Sequence, residues 1–313
     1  MRLTPGAASL DALAMTAMVV LCASWGGGQV AVKLAYADVP PVLQAAIRSA
    51  GAGLLVWIWM RIRGVRFAEG GRTRLPGAIA GLLFAAEFML LFWSLAYTSA
   101  GRAVVFLYVA PFVVAIGAHL FVPGERIRLV QLVGMGLAFA GLVVLFGAEA
   151  PADLPRYLLG DVMALAAGVL WGATTVLIKA SPLARASPEK VLLYQLAISA
   201  MALPVVALAV GERVDAFPGA VSLASLAYQT IWVAFITYLV WFALVRSYSA
   251  PRLSAFTFLA PVFGTLAGTA ILDEPFTAQV VVTLVLISAG IVLVNRPVPA
   301  AAGQPSPSTS RME

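Results

Sequence analysis

The chain has 313 residues, of which 62% are hydrophobic and only 11% charged, where a soluble domain carries about 45–50% apolar and about 25% charged residues. So little charge cannot cover a water-facing surface, and the single cysteine, Cys22, leaves no intramolecular disulfide; a soluble enzyme, a disordered chain and a secreted disulfide scaffold are excluded. A formal charge of +6 would suit nucleic acid, but the placement of those charges removes that reading.

Apolar stretches separated by short polar breaks run over residues 12–34, 41–60, 76–97, 101–121, 129–147, 158–179, 190–210, 222–246, 253–272 and 277–295. Each is long enough to cross a hydrocarbon core of about 30 Å as a helix. Helices are also the economical choice there, because lipid offers the backbone no hydrogen-bond partners. The sequence therefore predicts an all-α polytopic membrane protein with ten transmembrane helices. The first stretch is read as a true span: its flank carries only Arg2 and Asp11, and its apolar run exceeds a signal peptide's.

Basic residues set the orientation. Arg61, Arg63, Arg66, Arg72 and Arg74 crowd one loop, which predicts a cytoplasmic position for it. Alternation from that loop puts both termini in the cytoplasm. Arg2, Arg126, Arg128, Lys179, Arg185, Lys190, Arg246, Arg252, Arg296 and Arg311 then join the cytoplasmic set. Only Lys33, Arg102, Arg156 and Arg213 fall outside, and Arg48 lies within a span. This is a topology signal and not a nucleic-acid patch.

The chain also repeats itself. Ser24 to Lys33 aligns with Leu170 to Lys179, pairing Trp25 with Trp171, Gly26 with Gly172 and Lys33 with Lys179 at an offset of 146. Arg102 pairs with Arg252 and Ala110-Pro111 with Ala260-Pro261 at 150, while Glu125 pairs with Glu274 and Ala140-Gly141 with Ala289-Gly290 at 149. The expected organisation is a first five-helix repeat over 12–147, a linker over 148–157, a second five-helix repeat over 158–295, and a disordered tail over 296–313 rich in Pro, Ala and Ser. Five is odd, so the second repeat would enter the membrane from the opposite side. Inverted repeats of this kind are a transporter architecture with a midplane substrate site between the halves.

Ten helices in a five-plus-five repeat, Trp-Gly in helices one and six, Ala-Pro in helices four and nine, and a Glu after each resemble the drug/metabolite transporter superfamily. Over residues 12–295 the chain looks like an EamA-type exporter, most similar to the bacterial aromatic amino-acid exporter. The resemblance implies a monomeric, ATP-independent exporter of the bacterial inner membrane, with a central cavity lined by helices 1–4 and 6–9 and helices 5 and 10 at the periphery.

The residues agree with a transporter without cofactor or metal. A Walker A lysine precedes Ser or Thr, but Lys33, Lys179 and Lys190 precede Leu34, Ala180 and Val191. One His and one Cys do not make a catalytic zinc site, and His119 is the sole imidazole for acid–base work; it is read as a hydrogen-bonded packing residue. A membrane-embedded enzyme is the weaker alternative class.

Polar and aromatic residues inside the spans are the candidate site. Glu87, near the centre of helix three, is either a proton or substrate-ammonium site or a structural partner of Arg48 in helix two. Ser94 and Thr98 extend the face of Glu87, which predicts that this face looks inward. Trp25 with Gln29 and Trp171 with Thr175 each set an aromatic plate one turn from a hydrogen-bonding group. These pairs flank a cavity, or else pack helices. Tyr108 and Tyr238 add aromatic walls. Pro111 and Pro261 interrupt their helices, leaving the carbonyls of Leu107 and Thr257 without their usual partners, and are read as hinges for alternating access. Glu125 and Glu274 are read as dipole-stabilising residues at the start of the next helix. Gly77 with Gly81 and Gly264 with Gly268 let helices approach closely. The resulting expectation is a broad-specificity exporter of small amphipathic metabolites, amino acids including aromatic ones, with quaternary-ammonium or multidrug export as the alternative.

Overall fold

The computed structural model describes residues 10–67, 71–95, 97–146, 154–273 and 276–296. Ten helices long and apolar enough to span a membrane follow in order: α1 (Ala12–Ala35), α2 (Pro41–Ile62), α3 (Gly71–Ser94), α4 (Arg102–Phe121), α5 (Leu129–Phe146), α6 (Pro155–Ala180), α7 (Pro188–Ala209), α8 (Ala220–Ser247), α9 (Ala250–Leu272) and α10 (Ala278–Asn295). They match the predicted spans to within a few residues, and no strand occurs among the described residues. Glu274, most of the linker and the tail from 297 lie outside the described residues.

Local chemistry sets the ends. Asp11 caps α1 by accepting from the Ala14 amide at 2.8 Å, and Ser187 caps α7 ahead of Pro188, whose missing N–H costs nothing at a first helical position. The third helix stops sooner than its hydropathy suggests. The amides of Tyr97 and Thr98 both turn back to the Ser94 carbonyl at 2.9 Å, so Thr98 sits in the connection and not on the helical face of Glu87.

Three spans are irregular. The fourth is broken between Ala100–Leu107 and Ala110–Phe121, and the ninth between Ala250–Phe256 and Leu259–Leu272; both breaks lie just before the predicted prolines. The Thr257 carbonyl, which Pro261 leaves without its usual partner, accepts instead from the Ala260 amide at 3.0 Å. The Phe256 carbonyl beside it accepts from the buried Cys22 thiol at 3.2 Å. The third irregularity has no counterpart in the sequence reading: Tyr228–Thr237 in α8 is a π-helix.

Large apolar side chains such as Leu54, Leu82, Met201, Val205 and Val285 are exposed along the spans, the arrangement expected where lipid chains are the solvent. At one end Arg61 lies over the Trp57 ring and Arg63 over Trp59, with 5.5 and 5.8 Å to the centroids. Aromatic and cationic groups together mark an interfacial belt.

The principal packing pairs join the two halves of the chain. They are α1 with α8 and α9, α2 with α7 and α8, α3 with α6 and α7, α4 with α6 and α9, and α5 with α10. Exchanging each helix for the one five places on maps this set onto itself. Glycines make the closest approaches in matched pairs. A Cβ at Gly26 would stand 2.8 Å from the Ala260 carbonyl oxygen, and one at Gly172 would stand 2.9 Å from that of Ala110. Each Trp-Gly thus packs on the Ala-Pro of the other half. At the edge, a Cβ at Gly134 would lie 2.7 Å from the Gly290 carbonyl, and Thr283 donates to the Gly141 carbonyl at 2.9 Å. Gly77 and Gly81 do the same for α3, against Tyr194 and Ile198 of α7.

Candidate functional site

Two aromatic groups form where the halves meet. In the first, the Trp25 ring meets Tyr238 edge-on at 6.2 Å and Trp241 at 5.6 Å, and Phe84 meets Tyr238 at 6.4 Å and Phe88 at 4.9 Å. In the second, Tyr108 meets Trp171 edge-on at 5.6 Å and Phe258 at 5.7 Å. Edge-to-face rings at these separations are favourable beyond their burial. Tyr108 sits at the break in α4.

The charges lie beside the first group. Glu87 and Arg48 are 7% and 9% exposed, yet no contact within 4.0 Å pairs them. The Arg48 guanidinium lies over the Phe88 ring instead, 4.6 Å from its centroid. Arg48 is the cation that acts on Glu87, and both act on Tyr238. Arg48 Nε and Glu87 Oε2 are buried without a hydrogen-bond partner among the described residues. The guanidinium stacks on Phe88 and makes no ion pair with Glu87, so the closed Arg48–Glu87 pair considered from sequence does not form.

The remaining predicted residues divide. Trp25 is half-buried, and its indole N–H donates to the Thr237 hydroxyl at 2.9 Å. Gln29 is exposed and lies one turn beyond, with its amide oxygen against Gly264. Thr175 is buried, and its hydroxyl donates to the Trp171 carbonyl at 3.3 Å, an internal bond on its own helix. The structure therefore brings Trp25, Glu87 and Tyr238 together, joins Tyr108 to Trp171, and sets Gln29 and Thr175 apart from both groups. Pro111 and Pro261 lie behind the breaks, each adjoining a carbonyl approached by a glycine of the other half.

The π-helix adds groups that hydropathy and motif spacing did not indicate. Trp232 donates from its indole to the Ser24 hydroxyl at 2.9 Å, and the Tyr228 hydroxyl donates to the Ser24 carbonyl at 3.0 Å. Gln229 donates from its amide to the buried Gln44 side chain at 3.0 Å. A π-segment in a long helix is rare and often marks a functional site. Its only trace in the sequence is the density of hydrogen-bonding side chains in Tyr228-Gln229-Thr230.

Polar ties close both ends of the bundle. At one end Asp161 accepts from the Thr98 hydroxyl at 2.7 Å and pairs with Arg102. There Asp38 also accepts from the Gly219 amide at 2.8 Å and the Ser222 hydroxyl at 2.6 Å, while Glu212 accepts from the Leu43 amide at 2.8 Å. The hydroxyl and amide hold the Asp38 carboxyl below its usual range. At the other end Asp11 accepts from the Tyr248 hydroxyl at 2.9 Å; the Ala14 amide and then this hydroxyl keep the Asp11 carboxyl low, and the same bond pushes the Tyr248 phenol up.

Glu125 departs from its predicted role. Gly124, with φ 87°, folds the turn back, and the carboxylate accepts from the Ser249 hydroxyl at 2.7 Å and the Ala250 amide at 3.1 Å with Lys179 3.7 Å away. It therefore caps α9 of the other half and not α5. His119 is exposed and is not the packing residue expected. Every tie joins loops predicted to share a face, as ten alternating crossings require. Among the described residues no three His, Cys, Asp or Glu gather closely enough to hold a metal ion.

Comparison with known proteins gives this architecture a family. A solved crystal structure of a protein superposes with a TM-score of 0.77 over 89% of this chain and 96% of that one, at 22% identity, and so shares the fold. The chain is 28% identical to the uncharacterized transporter YvbV of Bacillus subtilis, over 91% of each. It is 27% identical to a probable amino-acid metabolite efflux pump of Salmonella typhimurium, over 89% of this chain and 92% of that one. The model of the EamA-like transporter family matches residues 12–147 and 158–296. Ten spanning helices, packed half against half and matched twice by that model, make this chain a membrane transporter of the EamA-like family.

Proposed function

We propose that this protein is an inner-membrane secondary exporter of small amphipathic metabolites, amino acids including aromatic ones, working by alternating access with broad specificity. The carrying observation is the buried Glu87, whose Oε2 has no hydrogen-bond partner among the described residues, one turn along α3 from Phe84, which meets the Tyr238 ring of the Trp25–Tyr238 pair. Rings take up an apolar side chain and cover a cation, while one carboxylate orients an ammonium group. Sugars or phosphates would call for many donors or an arginine cluster. The Salmonella relative's description as an amino-acid metabolite efflux pump supports the same class.

The two halves would form an inverted pair, with both termini in the cytoplasm and the breaks before Pro111 and Pro261 serving as hinges. In this cycle the ties at the two ends open in turn: Asp161 with Thr98 and Arg102 at one, Glu125 with Ser249 and Lys179 at the other. The substrate supplies the charge that Glu87 lacks, and the rings of Tyr108 and Trp171 form the opposite wall.

The test is purified protein in liposomes, offered labelled phenylalanine, threonine and a quaternary ammonium dye. Amino-acid flux that is lost when Trp25 and Trp171 are both replaced by Ala in a folded protein supports the proposal. Dye flux without flux of either amino acid overturns it in favour of multidrug export.

A further inference from the structure

We propose that Arg48 is a specificity-determining residue, and that with Glu87 it reads the two ends of a zwitterion: Arg48 takes the carboxylate and Glu87 the ammonium of an α-amino acid whose side chain lies against Phe84, Phe88 and Tyr238. The inference rests on the amino-acid reading above and names what that reading left open, the group that recognises the carboxylate.

Opposite charges buried side by side in a membrane ordinarily close into a contact pair, because an isolated buried ion is costly. Here each is more than nine-tenths buried, no contact within 4.0 Å joins them, and each keeps a buried atom without a partner, Nε of Arg48 and Oε2 of Glu87. The Phe88 ring under the guanidinium, 4.6 Å from its centroid, holds a flat cation in place. A guanidinium fork so held matches a carboxylate better than any other common group. A ligand with one positive and one negative end satisfies both residues at once. A simple cation would leave Arg48 uncompensated, and a simple anion would leave Glu87 so. The second half offers no equivalent: residues at the positions repeating Arg48, from Tyr194 to Ile198 of α7, are uncharged, so the zwitterion has one orientation.

Calorimetric titration of the full-length purified protein with three ligands sharing one ring tests this. They are phenylalanine, phenethylamine, which lacks the carboxylate, and 3-phenylpropionate, which lacks the ammonium. Phenylalanine is expected to bind about thirtyfold more tightly than either, the loss for one charge-assisted pair. Arg48→Gln should abolish the preference over phenethylamine and keep that over 3-phenylpropionate, and Glu87→Gln should do the reverse. Should Arg48→Gln not fold, Arg48→Lys, which keeps the charge and loses the fork, is expected to retain a reduced preference over phenethylamine. Equal wild-type affinity for phenylalanine and phenethylamine overturns the inference without any variant. Equal weakening of all three ligands by Arg48→Gln also overturns it, since that is a structural effect. In both cases bound phenylalanine leaves the exporter reading standing. Binding of a quaternary ammonium ion with no binding of phenylalanine overturns both.

Discussion

Helices α3 and α8 occupy equivalent places in the two halves, yet their local structure and polar groups differ. Both pack against the first two helices of the opposite half. The third is regular from Arg74 to Ser94 and carries the buried carboxylate of Glu87 within its span. The eighth winds into a π-helix over Tyr228–Thr237 and carries neutral hydrogen-bonding groups that tie it to Ser24, Trp25 and Gln44 of the first half. Scaffold contacts, by contrast, are kept in duplicate: Gly26 on Ala260 and Gly172 on Ala110. The halves share what holds the bundle together and differ in what faces its centre. A pseudo-symmetric shell with an asymmetric interior suits a site that binds one substrate in one orientation.

Breaking the shared part should cost most. Gly26→Val and Gly172→Val each drive a side chain into backbone of the other half, 2.8 and 2.9 Å from carbonyl oxygens even for the first carbon. Overpacking against backbone that has no room to yield destabilises by about 3 kcal/mol. Thermal unfolding in detergent should show comparable losses for both, and a loss for one alone would refute the duplicated scaffold.

The asymmetric interior comes next. Glu87→Gln should lower transport of an ammonium-bearing substrate about thirtyfold, near 2 kcal/mol for a charged hydrogen bond, with unfolding little changed. Thr237→Val in α8 removes only the hydroxyl that receives the Trp25 indole, and flux should fall about fivefold, for a bond worth about 1 kcal/mol. Comparable losses from the two variants would erase the distinction drawn between the third and eighth helices.

The tie between π-helix and second helix sharpens the contrast further. Gln229→Leu strands the buried Gln44 Oε1 while its amide N–H groups keep the Val32 and Val39 carbonyls, and an unsatisfied buried acceptor costs about 1–3 kcal/mol. Replacing both glutamines by Leu should recover about 1 kcal/mol of the summed single losses. Strictly additive unfolding midpoints would show that this pair does not couple the halves.

The smallest effect lies at the membrane surface. Bonds from Ser222 and Gly219 hold the Asp38 carboxyl below its ordinary value of 3.8, so folding favours the ionised form. That stabilisation is complete above the ordinary value and is lost as pH falls through the lowered one. Melting temperatures of the parent and Asp38→Asn should differ slightly at neutral pH and converge in acid. A gap that persists at low pH would mean the carboxylate's charge is not what joins α1–α2 to the start of α8.

Composition and periodicity determined the ten spans, because lipid imposes length and apolarity on each segment separately and both can be read locally. The repeat was legible too, in Trp25 with Trp171 and Ala110-Pro111 with Ala260-Pro261, because those residues make the close inter-half contacts and leave little room for substitution. Sequence also nominated Trp25, Gln29, Glu87, Tyr108, Trp171, Thr175 and Tyr238 as a group, since polar and aromatic side chains are conspicuous in an apolar span. What it left open was decided between helices. Whether Arg48 closes on Glu87 or lies over Phe88 depends on how α2 meets α3, and Glu125 caps α9 only because a turn at Gly124 brings it there. The π-helix likewise sets Trp232 and Gln229 against Ser24 and Gln44 of other helices. Such choices turn on distances between residues far apart in the chain, and no local pattern encodes those distances.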